Sequence, residues 1–228
     1  MYNSLSDHQN HEEVLPAAVS IELLREYVRL RSRLFTTLTD KDTHSLTLDP
    51  TAALLTGYYL YTASFSSLGS ISGPQSDGCF GVLTTVIETI TEAFARTYTS
   101  AGSTDCEEAV FLDETAGSLG AGAAALGATL ADFDDAVRPH CERLGRNLGT
   151  ARQFRAIIER DSNKAMVASP TFDESQFRLH AERRRDDVDK ALDTLSKTVD
   201  VTNLRAFAEA TTLRLEQQTS DTNDNTLN

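Results

Sequence analysis

An all-helical fold is predicted by three features of the sequence. Apolar residues recur every three or four positions over most of its length, helix start and stop signals punctuate that pattern, and no stretch shows sustained two-residue alternation with β-branched enrichment. A sheet is therefore not supported, and about seven helices packed around a centre are expected.

The elements follow in order. Residues 1–13 are polar and acidic and read as a disordered tail. Over Val14 to Leu38, Leu23, Leu24, Tyr27, Leu30, Leu34 and Leu38 form one apolar helical face. Asp49-Pro50 is a helix start, with Asp as N-cap and Pro at the first helical position, opening a helix over Thr51 to Leu68. The Gly- and Ser-rich stretch Gly69 to Gly78 is a break, and Val82, Val86, Ile90 and Phe94 set the period of a helix from Phe80 to Tyr98. Ser103-Thr104-Asp105 opens the next helix, which runs into the Ala- and Gly-rich segment Ala116 to Leu130, whose small residues suit close helix contact. Asp132 to Asp135 is read as an N-capping cluster for a helix over Ala136 to Asp161. After a loop at Ser169-Pro170, two helices are expected at Asp173 to Ser196 and Thr202 to Gln217, and 219–228 is a second polar tail. One domain, 14–218, lies between the tails.

Composition narrows the function classes. The chain carries 34 Asp and Glu against 21 Lys and Arg, a net charge of −13, so a polyphosphate backbone would be repelled by the average surface and nucleic acid is not an expected partner. Its only lysines are Lys41, Lys164, Lys190 and Lys197, and it has no Trp. An acidic, Lys-poor, Thr- and Asp-rich chain suits a halophile's cytoplasm, where carboxylates keep a surface hydrated and salt screens their repulsion. The N-terminus has no secretory pattern and the most apolar window, Ala52 to Phe65, is too short to span a bilayer, so a cytoplasmic location is expected. Cys79, Cys106 and Cys141 are widely spaced and odd in number, which suits buried small residues better than disulfides or zinc. His8, His11, His44, His140 and His180 have no ligand spacing within one helix, and no nucleophile elbow, P-loop or dinucleotide motif occurs.

Four segments, in order and at suitable spacing, carry a resemblance. Ala53 to Phe65 resembles an "AxLAGDxLLxxAF" helix, with Gly57, Leu60 and Phe65 in place; Gly117 to Leu130 resembles a small-residue helix ending "AxxLGAxLAG". Leu144 to Phe154 resembles "xGxxLGxAFQIxDDxxD" through Gly145, Leu148, Gly149, Ala151 and Gln153, and Ala181, Ala191, Leu192, Leu195 and Leu204 to Arg214 resemble a closing Ala/Leu pattern. These are segments of the trans-isoprenyl diphosphate synthase (polyprenyl synthetase) family, and the likeness spans about residues 15–217. It implies an isoprenoid (terpenoid) synthase-like helical bundle around a central cavity, pairing as a homo- or heterodimer, with a prenyl diphosphate or prenyl lipid, or an active synthase subunit, as partner.

The departures bear on chemistry. In that family two DDxxD clusters hold divalent metals that bind the allylic diphosphate. Here the second cluster falls on Ala156, Ile157 and Arg160, and the first on Arg29, Leu30 and Arg33, or three residues later on Ser32, Arg33 and Thr36. Tyr58 replaces the Asp after the matched glycine, the Arg-Arg-Gly after the first cluster is absent, and the family's Lys-Thr pair becomes Glu114-Thr115 or Thr115-Ala116. Metal-dependent prenyl transfer is therefore not expected, and no cofactor or metal is assigned.

Two readings of the remaining basic residues compete. Arg25, Arg29 and Arg33 share a stripe on the first helix, and Arg152, Arg155 and Arg160 lie on the helix expected to face it. They either hold a diphosphate directly through bidentate hydrogen bonds or pair with Glu22, Glu26, Glu159 and Asp161 as ordinary salt bridges. The candidate cavity- and diphosphate-facing set is Arg29, Arg33, Tyr58, Gln153 and Arg160. The function expected is a non-catalytic synthase homologue acting as partner subunit or prenyl-lipid binder. A divergent prenyltransferase-type enzyme and a structural helical protein without any isoprenoid link are the alternatives.

Overall fold

The computed structural model describes residues 11–39, 49–99, 105–159, 166–167 and 174–212, and among these the regular structure is all helical. The elements are α1 (His11–Thr39), α2 (Pro50–Leu68), α3 (Ser76–Thr99), α4 (Asp105–Leu112), a π-helical turn (Asp113–Gly117), α5 (Ser118–Leu130), α6 (Arg138–Ile158), α7 (Glu174–Leu195) and α8 (Thr202–Thr212). Each expected helix is present. α1 begins at His11, three residues before the apolar period, and α3 begins at Ser76, so the glycine-rich break is shorter than its composition suggests. Residues 219–228, Ser103, Thr104 and the Ser169-Pro170 loop lie outside the described residues.

Local chemistry explains most boundaries. The Asp49 carboxylate accepts from the Thr51 and Ala52 amides at 2.8 and 3.3 Å, and Pro50, which has no amide to satisfy, takes the first helical position. Asp200 does the same for α8, accepting from the Thr202 amide at 2.9 Å and hydroxyl at 2.6 Å; the two hydrogen bonds from Thr202 lower its carboxyl pKa. The acidic run Asp132 to Asp135 departs from expectation. Val137 is the N-cap of α6 and carries no capping side chain; the Asp134 carbonyl, rather than a carboxylate, accepts from the Val137 and Arg138 amides. Asp132 instead ends α5. At φ 53° it occupies the left-handed position that glycine usually fills, with the Phe133 amide reaching back to the Ala128 carbonyl and the Asp132 amide to Thr129.

α5 is the centre of the bundle. It packs against α1, α3 and α6, and ten of its thirteen residues are buried. Its crossing with α6 is made backbone to backbone: a Cβ on Gly120 would lie 2.1 Å from the Gly145 carbonyl oxygen, one on Gly145 would lie 2.2 Å from the Gly120 oxygen, and one on Gly149 would lie 2.5 Å from the Ala116 oxygen.

Two hydrophobic clusters use this central helix. One joins Ile21, Leu24 and Val28 of α1, Leu83, Val86, Ile90 and Phe94 of α3, Leu119 and Leu126 of α5, Phe154 of α6 and Phe177 of α7. The other joins Ala124 and Ala128 of α5, Leu144 and Leu148 of α6, Val188, Leu192 and Leu195 of α7, and Leu204 and Ala208 of α8. Fully burying each such Leu or Phe contributes about 1.5–3 kcal/mol relative to exposure. Cys79 and Cys141 are buried among these residues, and burial raises both thiols, Cys141 to about 11, as suits inert packing groups. By length and composition Ser76–Tyr98 of α3 is apolar enough to cross a bilayer, but its Cys79, Leu83, Ile90 and Phe94 stripe is buried in the first cluster.

Two outcomes follow for stability. Gly145→Ala should lower the unfolding free energy by about 2–3 kcal/mol, because the new methyl group meets backbone rather than a yielding side chain. Gly81→Ala on α3, where a Cβ meets nothing within 4 Å, should raise it by about 0.5–1 kcal/mol; denaturant titration at constant salt reads both. A further outcome, on pH dependence, concerns His180, whose ring stacks on Phe154 with centroids 5.9 Å apart. Burial, then Arg183 and Arg184, push its pKa below 6.5. The unfolded chain therefore takes up this proton first, and the contribution is complete above the unfolded pKa and is lost as pH falls towards the folded value. Stability should decline as pH falls below about 7, and His180→Phe, which keeps a ring on Phe154, should flatten that decline.

Candidate functional site

The residues proposed to face a diphosphate have these partners among the described residues. Arg25 pairs with Glu22 at 2.7 Å and Glu26 at 3.2 Å, and Arg29 pairs with Glu26 at 3.6 Å, all on α1 itself. Arg33 stands exposed one turn further on and is also engaged in a contact. On α6, Arg155 pairs with Glu159 at 3.3 Å and donates to the Thr211 carbonyl of α8, while Arg152 is exposed. Arg160 and Asp161 lie outside the described residues. Among the described pairs the salt-bridge reading is the one realised, with Glu22, Glu26 and Glu159 as partners.

Gln153 is a staple. Buried on α6, it donates from Nε2 to the Val167 carbonyl at 3.0 Å and accepts the Met166 amide on Oε1 at 2.9 Å. Both ends of the amide are thus committed to backbone, which fastens Met166 and Val167 to the core. Tyr58 is on the outward face of α2, 67% exposed, whereas its neighbour Gly57 faces inward with the Tyr27 ring 3.7 Å from where a Cβ would sit.

The metals of the resembled family do not fit here. The positions that the sequence resemblance assigns to its aspartates, Arg29, Leu30 and Arg33 or Ser32, Arg33 and Thr36 on α1 and Ala156 and Ile157 on α6, offer no anionic oxygen. Among the described residues no group of three or more His, Cys, Asp or Glu side chains is arranged to hold an ion.

Two features emerge only in three dimensions. The first is the π-helical turn, held by side chains from three helices. Asp113 accepts from the Thr150 hydroxyl at 3.0 Å and pairs with Arg146 of α6 at 3.3 Å and Arg184 of α7 at 3.0 Å; Arg184 also donates to Asn147 at 3.1 Å. Arg96 of α3 pairs with Glu114, one of the two positions that the resemblance assigns to the family's lysine. Gly117 makes room for the hub, since a Cβ there would lie 2.6 Å from the Thr150 hydroxyl oxygen. A π turn strains a helix and persists where contacts compensate. Its sequence trace is two adjacent acids ahead of a run of small residues.

The second feature is the outer face of α2. This helix of 19 residues contains no charged side chain, in a chain that is 24% charged. Ala53, Gly57, Ser64 and Leu68 face inward, leaving Leu54, Leu55, Tyr58 and Tyr59 between 50 and 71% exposed. Their spacing puts all four on one strip, a contiguous apolar surface rather than scattered residues.

No protein-family model and no curated protein matches the sequence. Solved structures do match in fold. A geranylgeranyl pyrophosphate synthetase from the archaeon Geoglobus acetivorans superposes with a TM-score of 0.70 at 17% identity, over 93% of this chain and 82% of that one. A geranyltransferase from Helicobacter pylori gives a TM-score of 0.72 at 16% identity, over 91 and 78%. The geranyl diphosphate synthase small subunit from Antirrhinum majus gives 0.61 at 18% identity, over 81 and 71%. With its helix order and central α5, this chain therefore has the all-α isoprenoid synthase fold shared by these prenyl diphosphate synthases.

Proposed function

We propose that the protein is a non-catalytic subunit built on the prenyl synthase fold, which assembles with an active synthase chain through the outer face of α2. The observation that carries this reading is the uncharged strip of Leu54, Leu55, Tyr58 and Tyr59, held open to solvent on an otherwise acidic molecule. Exposed apolar patches of this kind mark association sites, and aromatic residues at their centre supply contact area at small entropic cost. The positions of the family's metal-binding carboxylates support the non-catalytic part, since arginines, alanine and isoleucine stand there. One fold neighbour is itself a small subunit of a synthase. The acidic, Lys-poor composition suggests the setting, a cytoplasm at high salt.

Sedimentation velocity of the chain, alone and mixed with an active prenyl diphosphate synthase from the same organism, tests this. The mixture should form a heteromeric species whose affinity falls at least about tenfold in Leu55→Asp and Tyr59→Asp, since each buries a charge in an apolar contact. The complex should hold as potassium chloride is raised, whereas an ion-pair interface would weaken. A chain that sediments as a monomer in the mixture, or that releases diphosphate from geranylgeranyl diphosphate by itself with magnesium, would overturn the proposal.

A further inference from the structure

The strongest concentration of positive charge lies along α6. That helix carries five arginines and one glutamate in a chain of net charge −13. Arg143, Arg146, Asn147 and Thr150 recur at spacings of three and four, so they share one stripe, and contacts from Arg146, Asn147 and Thr150 turn that part of it to the π turn and α7.

Arg184 enters this stripe from α7, its guanidinium set by Asn147 at 3.1 Å. The side chains of Arg146 and Arg184 are 37 and 31% exposed, so both are half-sunk with donor edges open to solvent. Each guanidinium has five N–H donors, of which Asp113 and Asn147 engage a minority. Arg143 stands exposed one turn earlier and makes no ion pair among the described residues. Among the described contacts one acid, Asp113, is set against two of these arginines. Asp113 is shared by two arginines, Glu114 is taken by Arg96 and Asp187 by Lys190, while Glu142 lies on the exposed side of α6. His180, one turn before Arg184, has its pKa lowered in part by Arg183 and Arg184.

We propose that Arg143, Arg146 and Arg184, with the Thr150 hydroxyl behind them, form a binding site for a compact multivalent oxyanion of the phosphate class, for which the Asp113 carboxylate is the built-in competitor. A monovalent carboxylate keeps the two guanidiniums together and oriented, so little ordering remains for an incoming anion. A phosphate carries about −1.5 to −2 charge and three acceptor oxygens, matching the forked donors better than one carboxylate does. The site is separate from the α2 face and stands or falls without it.

Isothermal titration of the whole chain with inorganic phosphate and inorganic diphosphate, at fixed ionic strength, is the test. Saturable binding is expected, weakened at least about tenfold by Arg146→Gln or Arg184→Gln, as loss of a charge-assisted contact requires. Arg143→Gln alters an exposed residue without an ion pair, so it should leave the fold intact and still weaken binding. Asp113→Asn should tighten it several-fold, whereas a purely structural hub predicts only a lower melting temperature. Arg25→Gln on α1 should change nothing. Geranylgeranyl diphosphate identifies the source: affinity equal to that of inorganic diphosphate means headgroup recognition alone, and tighter binding that is still lost in Arg184→Gln means a prenylated ligand. No saturable heat from wild type and Asp113→Asn, or binding indifferent to Arg143, Arg146 and Arg184, would overturn the site.

Discussion

The backbone-to-backbone crossing of α5 and α6 is the constraint on which the bundle depends. Gly120, Gly145 and Gly149 lack side chains where the partner helix's carbonyl oxygens approach to 2.1–2.5 Å of a would-be Cβ. Such proximity is open only to glycine, and it brings α6 close enough for Thr150 and Arg146 to reach the π turn and for Gln153 to reach Met166 and Val167. It also lets one slender helix serve two hydrophobic clusters, because α5 gives Leu119 and Leu126 to one and Ala124 and Ala128 to the other. A thicker central helix would push α1 and α3 away from α6 and α7.

This crossing shows which of the residues shared with the resembled segments serve the fold. The residues that carry the likeness to the prenyl synthases do packing work. Gly57 admits Tyr27, Gly145 and Gly149 admit α5, and Gln153 satisfies two backbone groups that burial would otherwise leave unpaired. At the positions that the sequence resemblance assigns to carboxylates, Ala156 is buried in the core and Arg29 pairs with Glu26 on α1.

Charge is distributed unevenly, and the unevenness follows the helices. Acidic residues dominate the chain, α2 carries no charge at all, and α6 is basic. On a uniformly acidic surface, copies and neighbours repel one another except where salt screens them. Among the described residues, the uncharged strip of α2 and the arginines of α6 are two places where that repulsion is lessened. They lie on opposite parts of the element order, one contacting α1 and α3 and the other α5 and α7.

Much of the fold was legible in the sequence because helices are written locally. The 3.6-residue period of α1 and α3, the Asp49-Pro50 start and the small-residue run of α5 depend on neighbours within a few positions. The candidate site was far less legible. Arg25 and Arg29 could be assigned to a ligand or, as charge runs more often are, to Glu22 and Glu26, since spacing permits both and rotamers decide. Asp132 looked like a cap for the following helix and instead closes the preceding one, a matter of a single backbone angle. The hub at Asp113 joins residues 37 and 71 positions apart, read from its partners Thr150 and Arg184, and no local pattern encodes such a meeting. The sequence by itself determined the helices, their order and the absence of the expected carboxylates. Tertiary structure alone decided which charges meet and which apolar face stays in water, because those depend on how helices distant in the chain are pressed together.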